Sequence, residues 1–157
     1  PLPAETIQAP VQLAGQRVAA PDIYRLYFHG PAYRVIERAA VEDDGVVALM
    51  AAGLPPNAKP AGAGDLAAPR LLELCFQAAG LWLLAKKETM ALPTSFERAA
   101  VYLPEDGAGE KRLYATVEVR GDGEAFDARV VDEKGFVHAE LLGYRTVALP
   151  ERRTLRI

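Results

Sequence analysis

The stretch from Leu71 to Ala85 constrains this chain more than any other, because within it only Glu73 and Gln77 are polar. Pro69 sits where a first helical turn tolerates a missing N–H. Lys86 and Lys87 suit the negative end of a helix dipole. The pattern predicts a helix over Arg70–Lys87 that is apolar almost all round. Such a helix is buried inside its domain rather than laid on a surface. At the apolar length seen here it is too short to cross a bilayer, so no membrane partner is expected.

The flanking segments say what covers it. Asp43-Asp44-Gly45 is hairpin chemistry between Arg34–Val41 and Gly45–Ala51, which read as two antiparallel strands. After the helix, Ser95–Leu103, Arg112–Arg120, Ala125–Asp132 and Phe136–Leu149 read as strands. Glu105-Asp106-Gly107, Gly121-Asp122-Gly123 and Asp132-Glu133-Lys134-Gly135 are the turns between them. A strand is also expected near Val11–Val18, a turn or short-helix start at Pro21-Asp22, and a loop over Gly53–Ala68 of the length that tends to be functional. The organisation predicted is an extended lead-in over 1–22, one domain over 23–150 and a tail over 151–157. An all-round apolar helix needs cover on several sides, and a strongly curved antiparallel sheet supplies it. This α+β arrangement, a sheet wrapped round one long helix, is the hot-dog fold. A sandwich with the helix on one face explains the helix less well.

Composition excludes several classes. With 157 residues there is room for one domain, and a net charge of −3 leaves no electrostatic footprint for nucleic acid. One cysteine, Cys75, permits no intrachain disulfide and reads as a core residue in a reducing, cytoplasmic setting. With His29 and His138 far apart, no metal site is expected. No signal peptide is read at the start, and Pro1 in place of Met reads as an excised piece or a processed start. Phosphate-loop and nucleophile-elbow motifs do not occur.

Glu73 and Gln77 lie one turn apart on one helix face. In apolar company a carboxyl is expected to titrate upward and to serve as a proton donor near neutrality, with the Gln77 amide orienting it or bonding a substrate hydroxyl. A solvent-facing gap near the first turn would accommodate the pair equally. His29-Gly30-Pro31, inside an aromatic run that also holds Tyr24, Tyr27, Phe28 and Tyr33, implies a tight bend with close backbone approach. Its histidine either lines a substrate channel or bonds a backbone group. His138 and Glu140 alternate with apolar neighbours and read as the more solvated face, without a catalytic role. The tyrosines and Trp82 read as core.

Three stretches resemble one family. Tyr24 to Tyr33 resembles the "YGPxF" strand entrance of dehydratase domains from polyketide and polyunsaturated-fatty-acid synthases, with His29 at the tyrosine position. Ala68 to Gln77 resembles the "HPxLLDxxxQ" helix of its C-terminal lobe, and Gly135 to Pro150 resembles the closing strand. The resemblance implies a double hot dog acting on 3-hydroxyacyl thioesters carried on the phosphopantetheine of an acyl carrier protein, with no other cofactor. It implies Glu73 as the acid, at a position where the family has aspartate, and Gln77 as its partner. His29, Gly30, Pro31 and Tyr33 are expected along the substrate channel. The family's histidine, in an HxxxGxxxxP motif on the other lobe, has no counterpart here, so a second lobe in cis or a second copy is the expected partner. A non-catalytic interaction lobe of a megasynthase and a stand-alone dimeric thioesterase or hydratase stay open. In the last case Glu73 of one chain would meet His29 of another.

Overall fold

The computed structural model describes residues 16–59, 66–102, 111–153 and 155. The expected turn at Glu105-Asp106-Gly107, the first part of the Val11–Val18 strand and the middle of the Gly53–Ala68 loop lie outside the described residues. The elements are β1 (Gln16–Ala19), α1 (Ala20–Leu26), a 3-10 turn (Pro31–Tyr33), β2 (Ile36–Val41), β3 (Gly45–Met50), α2 (Ala67–Lys87), β4 (Thr89–Ser95), β5 (Arg98–Val101), β6 (Leu113–Arg120), β7 (Ala125–Asp132) and β8 (Val137–Arg152). They form one antiparallel sheet in the order β1-β2-β3-β6-β7-β8-β4, with β5 also beside β8.

Helix α2 packs against every strand from β2 to β8. Leu71, Leu74, Cys75, Ala78, Ala79, Leu81, Trp82, Leu83 and Leu84 are all buried, which is why the sequence shows no polar stripe. The sheet curls round the helix, so the hot-dog expectation holds. Trp82 reaches past the core to donate its Nε1–H to Asp43 O at 3.1 Å, and Lys86 pairs with Asp43 at 2.8 Å. The far end of the helix is thereby tied to the β2–β3 turn. Burial pushes the Cys75 thiol up to about 12, so it is an inert core group.

Pro21 stands in the first turn of α1, the short-helix alternative expected there, and the helix end is closed by the Tyr27 N–H on Ile23 O at 2.9 Å. Strand β1 overlaps the end of the expected Val11–Val18 strand and pairs with β2 from Gln16 to Ala19. The structure differs from the sequence expectation in three places. The expected Ser95–Leu103 strand is shortened to β5, and an additional strand, β4, precedes it; both pair with β8. Pro93 fits β4 because β4 is the outermost strand, where a missing donor costs no ladder bond. The closing strand runs on to Arg152 and is bent by a bulge at Gly143, whose φ of 61° favours glycine. The Gly143 N–H is held by Asp127 Oδ1 at 2.8 Å. Below the bend β8 pairs with β7 and β5, Tyr144 just past it still pairs with Phe126 of β7, and from Arg145 onward β8 pairs with β4.

The third difference is electrostatic. His138 and Glu140 are 4% and 6% exposed, not solvated. Arg98 and Tyr102 cover Glu140 with bonds of 2.7 and 2.8 Å. His138 Nε2 meets Asp132 Oδ2 at 2.9 Å, while Asp132 Oδ1 takes the N–H groups of Lys134 and Phe136. One carboxylate thus closes the β7–β8 turn and partners a buried imidazole. Burial raises its pKa, but the bond from His138 and the two turn N–H groups outweigh that and hold it below its ordinary 3.8. Its contribution is therefore fully present above the ordinary value and lost as pH falls through the depressed one. Asp132→Ala is expected to cost about 1–3 kcal/mol at neutral pH, because it strands buried donors. It should also flatten the acid side of the stability profile. Denaturant titrations from pH 3 to 7 check both, and a parallel acid slope in the variant would refute the linkage.

Gly80 shows a different constraint. A glycine inside a helix costs about 1 kcal/mol relative to alanine, yet a Cβ here would lie 2.5 Å from the Tyr27 hydroxyl oxygen. That hydroxyl donates to Gln77 O at 2.8 Å and is buried. Gly80→Ala is expected to destabilise by about 1–3 kcal/mol through overpacking, against its helix propensity. A rise in denaturation midpoint would show that Tyr27 yields.

Candidate active site

Helix α2 carries Glu73 and Gln77 on the side that faces the segment from α1 to β2. His29 follows α1 and precedes the 3-10 turn, and it meets Glu73 across 44 residues of sequence, Nε2 to Oε1, at 2.8 Å. Gln77 Nε2 donates to the same oxygen at 3.1 Å and to Tyr33 O at 2.8 Å. Gln77 Oε1 accepts from the Tyr24 hydroxyl at 2.7 Å, and that hydroxyl in turn accepts from Ile36 N at 2.8 Å. Both N–H groups of the Gln77 amide are committed, and the residue is 2% exposed. Of the two roles expected for Gln77, the geometry fits orienting the carboxyl and leaves no donor for a substrate hydroxyl.

The imidazole of His29 is gripped by rings. It stacks on Phe28 at 5.9 Å and 5°, and meets Tyr27 edge-on at 5.4 Å. Its backbone carbonyl accepts from Arg34 Nε at 3.1 Å. Arg70, buried at the start of α2, donates to Ala32 O and Pro55 O, which fixes the turn against the helix.

Glu73, His29 and Gln77 line a cavity of about 210 Å³ between α2, β4 and β8, with walls from Phe76, Leu84, Met90, Leu92 and Tyr144. The side chains of Glu73 and His29 stay 28% and 25% exposed. Gly30, Pro31 and Tyr33 do not line the cavity. Tyr33 serves through its carbonyl, Pro31 opens the 3-10 turn, and a Cβ on Gly30 would touch nothing, so the close approach expected there is absent. Sequence reasoning assigned Tyr24 and Tyr27 to the core, placed Tyr144 only in the closing strand, and missed their part here. The spacing of Tyr24 and Tyr27 puts them on one face of α1, which was the signal available. Burial pushes all three phenols upward, so they stay neutral donors.

One expectation is overturned. Burial does push Glu73 upward, but the hydrogen bonds from His29 and Gln77 outweigh it. The carboxyl is held below its ordinary 4.5. The apolar neighbours of Glu73 are local on α2, whereas the partner that decides its titration comes from another segment.

A carboxyl, an amide and an imidazole converge on a largely apolar cleft beside the sheet-wrapped helix of a hot-dog lobe. The chain belongs to the polyketide synthase dehydratase family: the family model described as "Polyketide synthase dehydratase N-terminal domain" matches residues 3–156. Solved dehydratase domains share the fold. That of the CurF module of the curacin polyketide synthase has a TM-score of 0.71 at 19% identity, covering 92% of this chain and 54% of its own. A trans-AT polyketide synthase dehydratase domain from Brevibacillus brevis has 0.66 at 19%, covering 92% and 55%. The dehydratase domain of a mycocerosic acid synthase-like polyketide synthase has 0.63 at 23%, covering 91% and 53%. The chain therefore spans about half the length of these domains. No curated protein matches the sequence. Among the described residues no helix is long and apolar enough to cross a membrane.

Proposed function

We propose that this chain is the carboxyl-bearing lobe of a 3-hydroxyacyl dehydratase within a cytoplasmic polyketide or fatty-acid-type synthase. The observation that carries the reading is Glu73, held by His29 and Gln77, lining a largely apolar cavity of about 210 Å³. Dehydration needs a base at C2 and an acid at the C3 hydroxyl. As the C2–H bond breaks, its electrons form the C2–C3 double bond, the C3–O bond breaks, and the oxygen takes a proton from Glu73 to leave as water. Gln77 aims the acid. The base comes from a second lobe, in cis or from another chain. The substrate arrives on the phosphopantetheine of an acyl carrier protein, and no other cofactor is required. Filling the cavity expels water from Glu73, which favours its protonated form in the substrate complex.

The test is a 3-hydroxybutyryl thioester of a pantetheine mimic offered to the protein bearing both lobes, with enoyl absorbance followed over time. Growth of the enoyl signal is expected. Thioester that is hydrolysed, or left untouched while the second lobe is present, would sink the reading.

A further inference from the structure

His29 invites a role as base, yet its two ring nitrogens argue against one. A nitrogen that removes a proton from a substrate carbon needs a lone pair open to the cavity. Nε2 is taken up by Glu73 Oε1 at 2.8 Å. Nδ1 is buried and has no hydrogen-bond partner among the described residues. A bare acceptor in that position is tolerable, whereas an N–H without a partner is among the rarest groups in folded proteins. The neutral ring with its proton on Nε2 satisfies both conditions. Neither the Nδ1–H tautomer nor the imidazolium does.

The carboxylate shows a matching asymmetry. Both donors that reach Glu73, from His29 and Gln77, converge on Oε1. Around the pair, Tyr24 and Tyr27 from the α1 segment and Tyr144 from β8 are neutral phenols, and Arg34 is the nearby cation, 5.8 Å from the Tyr24 ring.

We infer that His29 is a positioning residue acting through Glu73: as the Nε2–H tautomer it pins Oε1, and thereby presents Oε2 as the oxygen that meets the leaving hydroxyl. The inference rests on the dehydratase reading for its catalytic consequence and on the geometry alone for the tautomer. Glu73 Oε2 gives its proton to the departing oxygen, and the charge left on the carboxylate is held by two N–H donors already in place. No proton leaves His29. The lobe then lacks a base of its own even though it contains an imidazole at the site, and the two lobes divide the work.

The test joins spectroscopy and kinetics. Long-range proton–nitrogen correlations of the His29 ring at pH 7–8 should show the Nε2–H neutral tautomer, and an Nδ1–H ring would overturn the inference outright. His29→Phe keeps a ring against Phe28 without a donor, and His29→Gln restores an N–H that does not titrate. The Glu73 carboxyl carbon should titrate at higher pH in His29→Phe and move back in His29→Gln. An unmoved titration would refute the contact's role. With the partner lobe present, His29→Phe should lower kcat roughly 10- to 100-fold at nearly constant KM, with partial recovery in His29→Gln. A rise in KM alone would mean that His29 only contacts substrate. If the parent protein fails to dehydrate while the tautomer and titration behave as expected, the proposed function fails and the positioning role stands.

Discussion

Replacing Glu73 with glutamine should leave the fold in place and lower dehydration by about 10²–10⁴-fold, the range for loss of a positioned acid. The variant is nearly isosteric, and its amide oxygen can take the bonds that Oε1 now accepts from His29 and Gln77. What it cannot do is release a proton at pH 7 from the position of Oε2. The loss should therefore fall on kcat, with KM little changed, since the apolar walls formed by Phe76, Leu84 and Met90 are untouched. Enoyl absorbance in the protein with both lobes measures it. Equal turnover in the variant would remove Glu73 from the chemistry, whatever its neighbours.

The second large effect is structural. Phe126 of β7 is 0% exposed and lies between two rings, Trp82 at 6.0 Å and Tyr144 at 6.2 Å. Trp82 belongs to the helix and Tyr144 to the bent strand that walls the cavity, so Phe126 fills the joint between helix, sheet and site. Phe126→Ala should cost about 3–5 kcal/mol, combining lost transfer energy with the cavity left among rigid neighbours. Guanidinium unfolding gives the number. A loss below about 1 kcal/mol would mean that the core collapses into the gap, and the cavity beside Tyr144 should then change shape as well.

Much of the architecture was legible because it is written in local pattern. The limits of β7 match the expected Ala125–Asp132, and those of β6 differ by one residue, because turn residues bracket both and their faces alternate. The helix announced itself by lacking a polar stripe. What escaped depends on neighbours distant in sequence. Strand β4 contains Pro93 and is a strand only because β8 continues past its bulge to pair with it. His138 looks solvated until the β7–β8 turn and Asp132 are folded against it. Glu73 and Gln77 were found as a pair from their isolation on α2. The direction in which Glu73 titrates was not legible, since it is decided by His29, a residue from another segment. Gly30 and Pro31 shape the turn that delivers His29 and stay outside the cavity.

The contact between Gly80 and Tyr27 reaches beyond stability. A Cβ at position 80 collides with the hydroxyl oxygen at 2.5 Å but stands 3.5 Å from the ring carbon that bears it. The two positions are therefore epistatic. Alanine at 80 is harmful while the tyrosine remains, and becomes acceptable once Tyr27→Phe has removed the oxygen. A lineage could enlarge residue 80 only by passing first through phenylalanine at 27. That route gives up the bond to the Gln77 carbonyl before any benefit of the larger residue is felt, so the order of substitutions, more than their sum, decides which descendants of this lobe are reachable.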